Sequence, residues 1–137
     1  MFRNRHIQLL RRLRGESGQA FVEFALVIPI LLTVVFAAVG FGDAYWKYQQ
    51  LSAATSEGAR TAIVSRSSAT RDADITAATK NAAPDLVPAN ITVTITSSWT
   101  PGQTVTVKGS YPLKIDVMGV NFFNGNLQNS RTMRVEQ

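Results

Sequence analysis

The 137-residue chain contains no cysteine and a single histidine, His6. The lack of cysteine excludes disulfides, thiolate metal sites and cysteine nucleophiles. A multi-histidine metal site or a serine–histidine–aspartate triad would have to rely on His6. Charged residues are also scarce, at 17% against 45% hydrophobic residues, and this composition is too apolar for a disordered chain. The length allows one domain of ordinary size, so a multi-domain enzyme is excluded.

Catalytic motifs are missing as well. Serine and threonine are plentiful, but no GxSxG or SxxK arrangement accompanies them. Asp72 and Asp74 stand two residues apart and do not share a helix face, whereas Ca²⁺ takes roughly six to eight oxygen ligands. We interpret these two acids as a solvated helix start rather than a cation site. We therefore expect no catalytic residue, no metal, no cofactor and no enzymatic activity.

The net charge of +5 is concentrated at the N-terminus. Residues 1–18 contain five arginines and one acid, Glu16, whereas residues 19–137 contain nine basic and eight acidic residues. A nucleic-acid-binding protein of this pI would more often spread its basic residues over a folded face. A basic block directly before an apolar run indicates membrane topology instead, so we expect no nucleic-acid partner.

The apolar run covers Phe24–Gly42, 19 residues without a charge. As a helix it would rise about 28 Å, close to the hydrocarbon thickness of a bilayer. A buried core helix is disfavoured because the remaining chain is too small to surround it. A secretory signal peptide is disfavoured because the run is long and no Ala-x-Ala site ends it. The positive-inside rule places the N-terminus in the cytoplasm. Three aromatic residues that favour the membrane–water interface then lie on the extracytoplasmic side of the same membrane: Tyr45, Trp46 and Tyr48.

The junction before this run reads RRLRGESG–QAFVEFALVIPILL. It resembles the class III signal of type IV pilins, in which a prepilin peptidase cuts after a glycine. That family has Glu at the fifth mature position, followed by an aromatic residue in the Flp/Tad branch. A cut after Gly18 makes Gln19 the first residue and places Glu23 and Phe24 at those positions. A cut after Gly15 would put an alanine where the Glu belongs.

Three segments together resemble TadE-like minor pseudopilins of the Tad/Flp (type IVc) pilus system: ESGQAFVEFALVIPILL, LSAATSEGARTAIV and the ending TMRVE. The resemblance implies a structural protein of the bacterial inner membrane with roles in pilus biogenesis and adhesion. Its implied partners are a prepilin peptidase, other pilins or pseudopilins and the Tad assembly machinery. Two features depart from a simple match. Gln19 is not a residue that the pattern requires, and residues 72–90 carry no recognised motif.

Glu23 also has a physical interpretation. A carboxylate near the hydrocarbon boundary is costly unless it is paired. Cleavage would create a free amine at Gln19, which could neutralise a carboxylate between neighbouring subunits. Alternatively, Glu23 lies in the headgroup zone, where an acid suits a helix N-terminus. The preceding glycine and basic leader favour the first interpretation.

The predicted organisation is α+β, a long N-terminal transmembrane helix continuing into a small antiparallel sheet. Its segments are a cleaved leader (1–18), a membrane helix (19–42), an extracytoplasmic continuation (43–66), a linker with a short helix (67–90) and the sheet (91–137). The continuation carries small residues, which allow close approach either of partner helices or of the chain's own body: Ala53, Ala54, Ser56, Gly58, Ala59 and Ala62.

Alternation of valine or isoleucine with threonine predicts strands at Ile91–Thr96 and Gln103–Val107. Pro101 and Gly102 are placed for a type II turn between them. We expect Pro112 to interrupt the second strand. The remaining expectations are a third strand from Leu113 to Val117, a loop over Asn121–Ser130 and a short final strand at Met133 and Val135.

Three functions remain in competition. The first is the minor pseudopilin. The second is an uncleaved, signal-anchored extracytoplasmic binding domain. The third is an accessory subunit of another membrane complex. Cleavage after Gly18 distinguishes the first from the other two.

Overall fold

The computed structural model describes residues 4–117 and 119–135, with side chains from 18–116 and 119–135. The fold is α+β, as predicted. Its elements are helix α1 (Asn4–Val64), helix α2 (Arg71–Asn81), a 3₁₀ turn (Pro88–Asn90) and strands β1 (Thr92–Ser97), β2 (Thr104–Val117) and β3 (Val120–Arg134). The chain divides into two compact units, with the boundary between Val39 and Gly40, and residues of α1 belong to both. We call them the N-terminal unit and the C-terminal unit.

The N-terminal unit is helical from Asn4 onward, so α1 begins well before the apolar run. Pro29 lies inside the helix, and the Thr33 Oγ1 hydroxyl donates to the Pro29 carbonyl at 2.8 Å. Large apolar side chains of the run are exposed, among them Phe24, Leu26 and Ile30. The described residues contain one helix long and apolar enough to cross a membrane, with a mean hydropathy of 2.7 in its most apolar window. This supports the prediction of a membrane helix.

The C-terminal unit packs its sheet against the helices. One cluster of buried residues consists of Leu51, Ala54, Ala83, Leu86, Ile91 and Tyr111. A second consists of Ala59, Ala62, Ile75, Val105, Val107 and Val135. The inward-facing valines of β2 therefore lie against α1 and α2, because alternate side chains of a strand point to the same face. The part of α1 after the apolar run thus covers the sheet, which agrees with the predicted contact between the helix continuation and the chain's own body.

The small residues of α1 serve this internal packing. Ala54, Gly58, Ala59 and Ala62 are buried within the C-terminal unit, whereas Ala53 is exposed. A Cβ added to Gly58 would collide with the Thr79 hydroxyl of α2 and lie 3.3 Å from Val107 Cγ1 of β2. Of the two uses considered for the small residues, the structure supports contact with the chain's own body.

The sheet has strand order β1-β2-β3 with antiparallel pairing throughout. The turn between β1 and β2 has the predicted chemistry. The Gln103 amide donates to the Thr100 carbonyl at 3.1 Å, and Gly102 has φ +84°. Pro101 and Gly102 thus occupy the central positions of a type II turn, where the second residue needs positive φ.

Three strand expectations were wrong. β2 passes through Pro112 without interruption, so the predicted second and third strands are one. Pro112 pairs with Asn126 of β3, but the pairing of β2 with β1 stops at Ser110, which lies opposite the first residue of β1. Here β2 has a neighbour on one side only, and an edge position of this kind tolerates a residue without an N–H.

The predicted loop over Asn121–Ser130 lies within β3, and Met133 belongs to the end of the same strand. Cross-strand pairing with β2 overrides the low strand propensity of asparagine and glycine. Leu127 and Met133 are separated by an even number of positions and therefore share one face of β3. Leu127 packs against the first buried cluster and Met133 against the second.

Candidate assembly site

The proposed cleavage bond, between Gly18 and Gln19, lies inside α1. A Cβ placed on Gly18 would meet no atom within 4 Å, apart from the helix backbone around it. The bond is therefore free of tertiary packing among the described residues. Side chains of the leader as far as residue 17, including His6, lie outside the described set.

Glu23 lies one helical turn beyond Gln19. The Gln19 Nε2 amide donates to Glu23 Oε1 at 3.1 Å, a contact between residues four positions apart. Both side chains are exposed, and Phe24 beside them is 62% exposed. The structure thus brings Gln19 and Glu23 together at the start of the apolar run and leaves Phe24 free for contact with surrounding molecules.

Each of the predicted interfacial aromatic residues makes a polar contact. Trp46 Nε1 donates to Asp85 Oδ2 at 3.2 Å, and the Tyr48 hydroxyl accepts from Asn129 Nδ2 at 3.3 Å. The Tyr45 hydroxyl accepts from the side-chain amide of Gln49 at 2.8 Å. Trp46 and Tyr48 therefore connect α1 to distant parts of the C-terminal unit, and their predicted contact with lipid remains a prediction.

An apolar groove of about 380 Å³ opens beside these aromatic residues. Its lining comes from the start of the C-terminal unit and from the β2–β3 hairpin: Phe41, Ala44, Tyr45, Tyr48, Leu113, Ile115, Phe123 and Leu127. Sequence reasoning missed this groove because both of its β3 residues, Phe123 and Leu127, fell in the segment predicted as a loop. The alternation of Phe123, Leu127 and Met133 with polar residues was the signal that could have revealed it.

Asp72 and Asp74 lie in the first turn of α2, as the sequence predicted. Asp74 Oδ2 accepts from the Thr70 hydroxyl at 2.9 Å, and Asp72 Oδ1 lies 3.6 Å from Arg71 Nε. Among the residues with described side chains, no group of three histidine or acidic residues could hold a metal ion. The acids therefore serve the local structure at the first turn of α2, where negative charge is favourable.

Residues 18–60, about a third of the chain, match the family model described as TadE-like protein. The matched range begins at the proposed cleavage glycine and includes Glu23, the apolar run and the three aromatic residues that follow it. No curated protein and no solved structure gives a significant match. The family match supports a component associated with the Tad pilus machinery and the membrane. The single apolar helix is consistent with single-pass anchoring.

Proposed function

The chain is TadE-like over residues 18–60, and from this premise we propose that it is a minor pseudopilin of a Tad pilus assembly system. In this role it is a structural component without enzymatic activity, and it is itself the substrate of a prepilin peptidase. One observation carries the proposal. Gly18 and Gln19 precede Glu23 by one helical turn, at the start of an exposed apolar helix.

The proposed topology follows from charge. The arginine-rich leader stays in the cytoplasm, α1 crosses the inner membrane once, and the unit beginning at Gly40 lies outside the cytoplasm. Its proposed partners are the peptidase, other pilins or pseudopilins and the Tad assembly machinery. From the membrane the subunit passes into a pilus or supports its assembly.

Processing changes the charge at the start of the helix. Hydrolysis of the Gly18–Gln19 bond releases an 18-residue peptide and leaves an ammonium group on Gln19. Glu23 follows one turn later and already reaches the Gln19 side chain at 3.1 Å. Near hydrocarbon, an ammonium and a carboxylate from adjacent subunits neutralise each other, which offsets part of the cost of leaving water.

Cleavage is tested by co-expression with a matching prepilin peptidase, followed by intact-mass measurement and N-terminal sequencing. We expect loss of 18 residues and Gln19 at the new N-terminus. Gly18→Ala should hinder cleavage, because it adds a side chain at the cut and favours the helical conformation by about 1 kcal/mol. Gly15→Ala is the matched control, since it makes the same change three residues upstream and should be cleaved normally.

Two results would contradict the processing model. One is a protein that keeps its first 18 residues in the presence of the peptidase, which would favour the signal-anchored binding domain. The other is equal cleavage of the wild type and a bulky Gly18→Leu variant.

Glu23 is tested by Glu23→Gln, which keeps the size of the side chain and removes its charge. We expect normal cleavage and membrane insertion but a loss of co-purification with partner pilins, because the ammonium group would lack a counter-charge. Glu57→Gln is the control. Glu57 is an exposed acid of the same helix whose ion pair with Arg60 is loose, at 3.9 Å. Full assembly of Glu23→Gln would reduce Glu23 to an interfacial residue.

A further inference from the structure

The turn between β2 and β3 carries an exposed apolar surface that the proposed function does not use. Val120 and Phe122 are 59% and 58% exposed, and Phe123 is 47% exposed. We call these three residues the hairpin tip. Large apolar side chains in such a cluster indicate contact with another apolar phase.

The pairing of the strands leaves Phe122 without a partner residue on β2. Ile115 pairs with Phe123 and Asp116 pairs with Asn121, so Phe122 is the extra residue of a β-bulge. An extra residue has no partner directly opposite it on the neighbouring strand, and bulges commonly re-aim a side chain. Gly119, with φ +83°, lies directly before Val120, which pairs with Val117. The register of the hairpin therefore determines the positions of the tip residues.

The hairpin runs along the part of α1 that belongs to the C-terminal unit, from Gly58 toward Gly40. In the first half of β2, Val107 lies beside Gly58 of α1. Further along, Gly109 lies beside Leu51 and Thr55. Ile115, five residues before the tip, lies beside Gly40, where an added Cβ would be 2.9 Å from Ile115 Cγ2. Strand and helix thus run in opposite directions within the C-terminal unit.

Gly40 belongs to the last three residues of the uncharged run, which ends at Gly42 before Asp43. If the run spans the bilayer, Gly40 lies at the level where the helix leaves the hydrocarbon. The contact with Ile115 brings the end of the hairpin to that level. The apolar groove continues from the tip toward Phe41 and Tyr45 of α1. Within the C-terminal unit, the tip and the last residues of the apolar run therefore lie at the same end.

We propose that the hairpin tip inserts into the interface of the leaflet at which α1 leaves the membrane, as a second, shallow membrane contact. Aromatic side chains favour this zone, where apolar surface is buried without crossing the bilayer. Asp116 is exposed just before the turn and Lys114 two residues earlier. Their charges keep the insertion at headgroup depth, because a charge in the hydrocarbon is costly. The contact holds the C-terminal unit against the bilayer surface.

The absence of cysteine makes this contact measurable with single-cysteine labels in the full-length protein. Phe122→Cys and Val120→Cys would each carry an environment-sensitive fluorophore. Gln128→Cys is the matched control, because Gln128 is an exposed residue of the same strand, six positions beyond Phe122. The proteins are reconstituted into vesicles of phosphatidylethanolamine and phosphatidylglycerol, with and without lipids that carry a nitroxide quencher near the headgroup.

We expect a blue-shifted emission and quenching by the nitroxide lipid at positions 122 and 120, and neither effect at position 128. Retention of the effect at both tip positions in dilute, monomeric protein would support lipid as the occupant. Equal exposure of tip and control labels to water would overturn the proposal. It would also be overturned if the tip labels were shielded only in a dimer or on addition of a partner pilin. None of these results depends on cleavage after Gly18, so the pseudopilin proposal is tested separately.

Discussion

Val105 lies fully buried where β2 meets both helices, and its neighbour Thr106 points to the other face of the sheet. The Thr106 hydroxyl is 2.8 Å from that of Thr132 across the β2–β3 pair. We expect Val105→Asp to cost about 3–5 kcal/mol, the scale of an uncompensated buried charge. Thr106→Asp should cost about 1 kcal/mol, the scale of one lost hydrogen bond.

Thermal melts followed by circular dichroism in detergent micelles measure this difference. Val105→Asp should remove the cooperative transition or lower its midpoint strongly, while Thr106→Asp should shift it slightly. Equal damage from the two substitutions would contradict the facing of β2 in the sheet.

Single residues also show which parts of the site could be predicted. Gly18, Gln19 and Glu23 were singled out from the sequence because the prepilin pattern that they match is local, within six positions of one helix, and their roles remain predictions. The partners of the aromatic residues were not. Trp46 bonds Asp85, 39 positions away, and Tyr48 bonds Asn129, 81 positions away. Such contacts depend on how the elements pack, which a local pattern does not contain.

At the scale of elements, α1 depends on Gly58 for its close approach to α2 and β2. Alanine normally favours a helix over glycine by about 1 kcal/mol. At Gly58, however, the new methyl group would collide with the hydroxyl of Thr79, a fully buried residue. Overpacking of this kind costs about 1–3 kcal/mol, so we expect Gly58→Ala to destabilise the C-terminal unit.

Gly42→Ala is the matched control, since a Cβ there would meet nothing within 4 Å and the helix propensity gain is the same. It should be neutral or stabilising. Adding Thr79→Ala to Gly58→Ala should recover part of the loss in a double-mutant cycle, because it removes the colliding hydroxyl. If Gly58→Ala alone were stabilising, the contact between α1 and α2 would be looser than described.

The strand predictions were accurate where the sequence signal was local. β1 and the first half of β2 were predicted because threonine alternates with valine or isoleucine there, and the Pro101–Gly102 turn has its own local chemistry. The continuity of β2 through Pro112 and most of β3 were missed. Pro112 occupies a stretch where β2 has lost one neighbour. Asn124 and Asn126 are exposed residues of the edge strand β3, whereas Asn129 faces α1 and bonds Thr55 and Tyr48. Only the pairing with β2 makes that sequence a strand.

On the scale of the whole molecule, both buried clusters consist entirely of residues from Leu51 to Val135. No residue of the apolar run contributes to them, so the C-terminal unit carries its own core. The family match, by contrast, covers residues 18–60 and stops before the sheet. The matched part contains the candidate membrane helix and most of the α1 residues that cover the sheet. Both α2 and the sheet lie outside the match.

A truncation series tests whether this core is sufficient. A fragment beginning at Tyr48 retains both clusters and loses the apolar run, so we expect a soluble, cooperatively folded monomer. A fragment beginning at Asn90 retains the strands but loses α1, α2 and the residues that cover Val105, Val107 and Tyr111. A sheet with one uncovered apolar face should aggregate or remain unfolded.

Circular dichroism melts and gel filtration distinguish the two outcomes. A folded, monomeric Asn90 fragment would contradict the dependence of the sheet on the helices. A Tyr48 fragment that fails to fold would mean that the residues around Ala44, including the Trp46–Asp85 contact at 3.2 Å, are required for the core to form.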